Sequence, residues 1–282
     1  MIEAHAFRAM GTDVELFVRS SNGGATEAFK AVEAEFERLE QIMSRFRPDS
    51  ELSRLNRAGG LEVSADLAHV IELALAARER TAGRFDPCVH DALIAAGYDR
   101  TFTQVAPDAP DRAQIEPICG GGVWVDRRRV DLEDGAKLDL GGIGKGYAAE
   151  RAADILAAAG PCLVDAGGDV AVRGGHAWPV GVETGEGVVT LALERGALAT
   201  SGSDRRRWVR NGEERHHLID PRTGRSAASD VLRVTVFAED AVQAEVLAKH
   251  LFLAGADQAA ESGVSSIVVT RTGETIFAGA FS

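Results

Sequence analysis

An α+β fold is what this sequence predicts. Segments with strand period and segments with helix period both occur, and they follow one another without the regular strand-helix-strand rhythm of a doubly wound parallel sheet. With 282 residues and 45% hydrophobic content, the chain also carries enough apolar surface to bury a sizeable core.

The elements follow in order. In Thr12–Arg19, Val14, Leu16 and Val18 alternate with polar neighbours, the pattern of a half-buried strand. From Ala25 to Phe46, the residues Phe29, Val32, Phe36, Leu39 and Met43 recur at three and four positions and predict one amphipathic helix, broken at Pro48. Ser64 reads as the N-cap of a second helix carrying Leu67, Val70, Ile71 and Ala74, with Gly83 as its stop. Tyr98 to Gly122 is rich in Asp, Pro, Thr and Gly, and reads as a long loop or flap. Short strands are expected at Val123–Val125, Leu163–Val172, Val188–Leu193 and Leu232–Phe237, and helices at Gly144–Ala159 and Asp240–Ala254. A final hairpin pairs Ser265–Thr270 with Glu274–Ala278 around Thr272-Gly273. No internal repeat or low-complexity linker divides the chain, so one domain over residues 1–282 is expected.

Composition narrows the function. A formal net charge of -12 argues against a sequence-independent grip on nucleic acid, which needs a clustered excess of Lys and Arg. Any anionic ligand must therefore be met locally. Cys88, Cys119 and Cys162 are odd in number and widely spaced, offering neither a CxxC metal pair nor a disulfide framework, so a reducing compartment is expected. The opening MIEAHAFRAMG lacks an export signature, and no stretch reaches the roughly 18 apolar residues of a membrane span; a cytoplasmic location is the expectation.

The most informative segment is Leu138–Glu150, LDLGGIGKGYAAE, an apolar run that ends in a glycine turn and then enters a helix. Glycines let a backbone approach phosphate closely, a first helical turn offers unpaired N–H groups, and Lys145 adds a full charge. It fits neither common nucleotide fingerprint, because Gly146 follows the lysine and no G-x-G-x-x-G register occurs. Taken alone it reads equally well as a simple helix-start turn. Further along, LVDAGGD ends a strand in paired glycines, ATSG gives a turn with hydroxyls, and HHLIDPRTG joins two imidazoles to an Asp-Pro turn.

In their order, RFRPDSELSRLN, RFDPCV, DLGGIGKGYAAE, LVDAGGDVAVRG, ATSGSDRRRW and HHLIDPRTG resemble the motifs of the ApbE family, the FAD:protein FMN transferases. The resemblance runs from Met10-Gly11-Thr12 to beyond Glu245. It implies a single α/β roll of mixed and antiparallel sheets flanked by helices, in one or two lobes around a flavin cleft. It also implies FAD contacts at Met10, Phe46, Arg84, Phe85, Asp86, Asp139, Lys145 and Ile219. The implied reaction moves FMN from FAD onto a Ser or Thr hydroxyl of an acceptor flavoprotein and releases AMP. His216 or His217 is then the candidate base, since an imidazole titrates near neutral pH. An FAD-binding protein without transfer, and an FAD pyrophosphatase giving FMN and AMP, are the alternatives.

One stretch departs from the family pattern. The resemblance implies a magnesium site built from a helix Asp, a Thr four residues on and a glycine-turn carbonyl; here those positions hold Glu245, Lys249 and Gly142. A protonated lysine cannot ligate. Three readings follow: Lys249 is a catalytic cation standing where the metal would sit, a shifted metal site survives on Glu245 and Gly142, or the two side chains form a solvated i,i+4 pair. Arg205, Arg206 and Arg207, where the family often has an aromatic, read as a solvated strand edge or as a contact to an anion.

Overall fold

The computed structural model describes residues 1–21, 23–105, 108–109 and 119–281. The chain divides into two compact units. The first is Met1–Glu40, Ile143–Ser201 and Asp230–Ser282, and the second is Gln41–Gly142 and Gly202–Ser229.

The first unit is built on an eight-stranded sheet whose lateral order follows the chain: Ile2–Ala9, Thr12–Arg19, Cys162–Ala166, Val170–Arg173, Gly196–Gly202, Val231–Ala238, Ser266–Thr270 and Thr275–Ala278. The registers described are antiparallel. Period-2 patterning places the core as expected, with Val14, Leu16 and Val18 fully buried. The helices Gly144–Leu156 and Ala241–Ala254 pack on this sheet and on each other. The predicted stripe Phe29, Val32, Phe36, Leu39 and Met43 is buried along the helix Thr26–Met43.

Two outcomes in this unit differ from expectation. Leu163–Val172 is two strands, Cys162–Ala166 and Val170–Arg173, turned by Gly167 at φ 67° and Gly168 at φ 95°. A Cβ at Gly167 would lie 2.0 Å from Thr12 Oγ1, so the glycine allows the turn to press against the neighbouring hairpin. The strand Ile2–Ala9, at the sheet edge, had no signal, because apolar Ile2, Ala4 and Ala6 lie on its exposed side and Glu3 and His5 on its inner side, so polarity does not alternate with burial. It meets Thr12–Arg19 through a two-residue turn, Met10-Gly11, with φ 49° and 71°. Such a turn asks for positive φ at both positions, which Asn-Gly meets easily; methionine there costs about 1–2 kcal/mol.

The second unit holds the helices Glu51–Ala58, Ala65–Arg80 and His90–Ala95, with three small sheets. Ser64 caps the Ala65–Arg80 helix as predicted, accepting the Leu67 N–H at 3.2 Å, and Gly83 follows its end at φ 77°. Glu51–Ala58 was read only as a break. Ser50 caps it by accepting the Ser53 N–H at 3.0 Å and Gly59 ends it at φ 69°, while Leu52 and Leu55 are its only apolar anchors. Within the expected Tyr98–Gly122 loop, a turn of 3₁₀ helix covers Phe102–Gln104, and Asp108–Ala109 pairs in parallel with Arg207–Arg210. Residues 106–107 and 110–118 of that loop lie outside the described residues. No helix among the described residues is long and apolar enough to cross a membrane. All three cysteines are free, and burial pushes their thiols up, Cys88 to about 12 and Cys119 and Cys162 to about 11.

Candidate functional site

In the first unit, the glycine turn delivers its lysine to the start of a helix. Lys145 stands in the first turn of Gly144–Leu156, where backbone N–H groups have no partner within the helix. The N–H of Gly146 donates instead to Glu245 Oε2 at 2.9 Å. Lys145 Nζ pairs with Asp169 and lies 3.2 Å from Glu245 Oε1. Asp169, which follows the Gly167-Gly168 turn, is 1% exposed, and Glu245 is 3% exposed. Three segments far apart in sequence thus meet at one buried charge cluster.

Glycine at 146 makes that meeting possible. A Cβ there would lie 2.5 Å from the carbonyl oxygen of Ala241, a backbone atom at the start of the helix that carries Glu245. We expect Gly146→Val to destabilise the fold by about 1–3 kcal/mol or more, as overpacking against backbone does, read as a lowered midpoint in denaturant unfolding. A midpoint equal to the native one would show that the two helices can separate freely.

Burial pushes the Asp169 carboxyl up from 3.8 to about 7; the Lys145 ammonium opposes that rise, the Glu245 carboxylate adds to it, and the Lys249 ammonium opposes it. Lys249 therefore faces the cluster, one helical turn beyond Glu245 on the same side of the helix. A solvated Glu245–Lys249 pair is overturned by the burial of Glu245. The folded state holds the Asp169 proton more tightly than the unfolded chain does. This group's contribution to stability is therefore complete below pH 4 and is lost as pH rises from about 4 through about 7. The native protein minus Asp169→Asn should show that downward slope in unfolding free energy between pH 4 and 7; parallel curves would refute it.

Met10, also in the first unit, is partly exposed at the hairpin tip, and its N–H donates to Glu40 Oε2 at 3.1 Å.

The second unit gathers most of the remaining predicted residues. Ile219 is packed among Tyr98, Trp208 and Leu93, with Phe46 against the same cluster. Phe46 lies 5.6 Å from Tyr98, ring to ring. Asp139 is 8% exposed; its Oδ2 is 2.5 Å from Arg45 Nε, and its Oδ1 accepts the Gly141 N–H at 2.9 Å. Asp86, also 8% exposed, accepts the Cys88 N–H at 2.8 Å and lies 3.7 Å from Arg78 Nη1. Phe85 is buried, its N–H held by Thr81 Oγ1 at 3.0 Å, and Arg84 is partly exposed, its charge helping to hold the Asp220 carboxyl low behind the larger effect of Arg222. Gly142 is partly exposed at the end of this unit.

The two histidines differ. His216 is 4% exposed, and both ring nitrogens meet backbone: Nε2 lies 3.0 Å from the Ala227 carbonyl, and Nδ1 accepts the Leu218 N–H at 3.3 Å. Those partners fix the neutral tautomer with the proton on Nε2 and leave neither nitrogen available to a substrate. His217 is only half-buried. The turn after them is held by Asp220, whose carbonyl accepts from Thr223 and Gly224 at 3.1 and 2.9 Å.

Sequence reasoning missed Asp169 and Arg45 as site residues. A carboxylate directly after a glycine pair was a readable signal for the first; the second opens the motif RFRPDSELSRLN, where the resemblance points to Phe46 and not to the arginine beside it. Arg205 and Arg207 are exposed and Arg207 lies 3.6 Å from Glu214, so these side chains are solvated, but Arg207–Arg210 is the middle strand between Glu213–His216 and Asp108–Ala109 and not the expected edge.

Comparison with known proteins gives concordant results. The ApbE family model matches residues 10–267. A Treponema pallidum protein named FAD:protein FMN transferase is 32% identical over 265 residues, spanning 82% of this chain and 73% of that protein. A protein of the same name from Haemophilus influenzae is 28% identical over 260 residues, with 82% and 73% covered. The crystal structure of the ApbE protein from Thermotoga maritima matches with a TM-score of 0.88 at 30% identity, covering 100% of this chain and 98% of that one. The apo flavinyl transferase ApbE of Pseudomonas stutzeri, 22% identical, shares the fold at 0.87 over 100% and 96% of the two chains.

Proposed function

Because the chain belongs to the ApbE family, we propose that it is an FAD:protein FMN transferase, with its 282 residues acting as one catalytic domain. The observation that carries this reading is the meeting of Lys145, Asp169 and Glu245 at a helix start, where a partly buried ammonium stands at the positive end of the helix dipole, a setting suited to a pyrophosphate. In the reaction, an acceptor Ser or Thr oxygen bonds to the FMN phosphorus, the phosphorus–oxygen bond to AMP breaks, AMP leaves, and the hydroxyl proton passes to a base. His217 is the better candidate for that base, since both nitrogens of His216 are committed to backbone. Met10, Phe46, Arg84, Phe85, Asp86, Asp139 and Ile219 are assigned to FAD binding on the resemblance of their motifs.

The donor set around Glu245 does not fit a resident divalent cation. Both Glu245 oxygens are already engaged, one by the Gly146 N–H and one by Lys145; Asp169 is paired with the same lysine, and a second ammonium stands one turn along the helix. A hard cation takes several open oxygens, and two ammonium groups would repel it. Charge neutralisation is therefore assigned to Lys145 and Lys249. The native protein is expected to bind FAD with the same affinity across a magnesium titration, and Lys249→Thr to bind it more tightly as magnesium is added. Strong magnesium dependence in the native protein would defeat the assignment. The three free cysteines support a reducing, cytoplasmic setting.

The direct test is incubation with FAD and an acceptor flavoprotein subunit bearing its Ser or Thr target. Transfer adds the mass of one FMN to the acceptor and yields AMP. Release of FMN and AMP with no change in acceptor mass would make the protein a pyrophosphatase, and binding without turnover would make it an FAD carrier.

A further inference from the structure

Arg45 opens the motif RFRPDSELSRLN without being among the residues the resemblance assigns to FAD, yet it is one of the most enclosed cations of the second unit, with a side chain 6% exposed. Its guanidinium carbon lies 4.1 Å from the Phe46 ring centre and 4.6 Å from that of Tyr98. Its Nε meets Asp139 Oδ2 at 2.5 Å. An arginine that serves only to neutralise a carboxylate usually presents two parallel N–H groups to it. Here Nη2 is buried and has no hydrogen-bond partner among the described residues. A buried donor is seldom left unmet, and such groups mark places where something else completes the structure.

Resting on the flavin-site reading of Phe46 and Asp139, we propose that Arg45 is a positioning residue of the nucleotide site. It fixes the Asp139 carboxylate and the Phe46 ring, and it donates its Nη2 N–H to an acceptor atom on a nitrogen heterocycle seated against Phe46. Two parts of FAD carry that chemistry: a carbonyl oxygen of the isoalloxazine ring and a ring nitrogen of adenine. The planar fork matters as well as the charge, because lysine can keep the ion pair with Asp139 but can neither stack on two rings nor reach a second acceptor.

FMN and AMP, titrated separately against the native protein, Arg45→Lys and Asp139→Asn, distinguish the possibilities. Arg45→Lys is expected to weaken one fragment about 10-fold while leaving the other within about twofold, and the weakened fragment identifies the ring that Arg45 serves. Arg45→Gln, which keeps a planar donor, is expected to recover part of that loss. Equal weakening of both fragments means general damage to the fold and overturns the proposal, as does no weakening of either. If Asp139→Asn leaves both fragments unaffected, the flavin-site reading itself fails and the proposal falls with it. If Asp139→Asn weakens binding and Arg45→Lys does not, the site stands and only the role of Arg45 is lost.

Discussion

Lys145→Met is expected to reduce FMN transfer by about 10²–10³-fold, the effect of removing one preorganised positive group from a developing phosphate charge. The same substitution should lower stability by about 3–5 kcal/mol, since it leaves the buried Asp169 and Glu245 without their shared counter-charge. Lys145→Arg separates the two effects. It keeps the charge but cannot place a compact ammonium between two carboxylates, so it should recover much of the stability and little of the rate. Transfer is followed by the mass of the acceptor and stability by denaturant unfolding. A Lys145→Met protein with near-native turnover would remove the cluster from the mechanism.

Replacing the adjacent histidines should give opposite phenotypes. His217→Ala is expected to fold normally and to lose about 10²–10⁴-fold in transfer, the usual contribution of a positioned base. Adding imidazole should restore part of that rate. His216→Ala should instead cost about 1–3 kcal/mol of stability, because it leaves the Ala227 carbonyl and the Leu218 N–H without their partner inside the fold. Its residual activity should follow the folded fraction. The assignment would be reversed if His216→Ala, fully folded, were the slower enzyme.

The legibility of the sequence tracks how local each signal is. The Thr12–Arg19 strand and the Thr26–Met43 helix were readable because their apolar residues repeat with the period of the element. The Glu51–Ala58 helix was not, since eight residues with two leucines carry no period, although its Ser50 and Gly59 caps were visible in retrospect. The strand Ile2–Ala9 escapes because its exposed side carries Ile2, Ala4 and Ala6 while its inner side carries Glu3 and His5, so polarity does not alternate with burial. At the site, motif resemblance led to Lys145 and Glu245, and the structure brings those two together. It could not choose between His216 and His217, because that choice depends on where the chain places Leu218 and Ala227 in space. Nor could it single out Arg45, whose importance arises from a carboxylate 94 positions away, at Asp139.

The Met10-Gly11 hairpin tip has a wider implication. A thioether stands at a spot where the chain would bend more comfortably around asparagine or glycine. On the assignment of Met10 to FAD binding proposed above, heat resistance and ligand contact favour different side chains at this position, so a variant chosen for durability alone would drift away from methionine and weaken its hold on FAD.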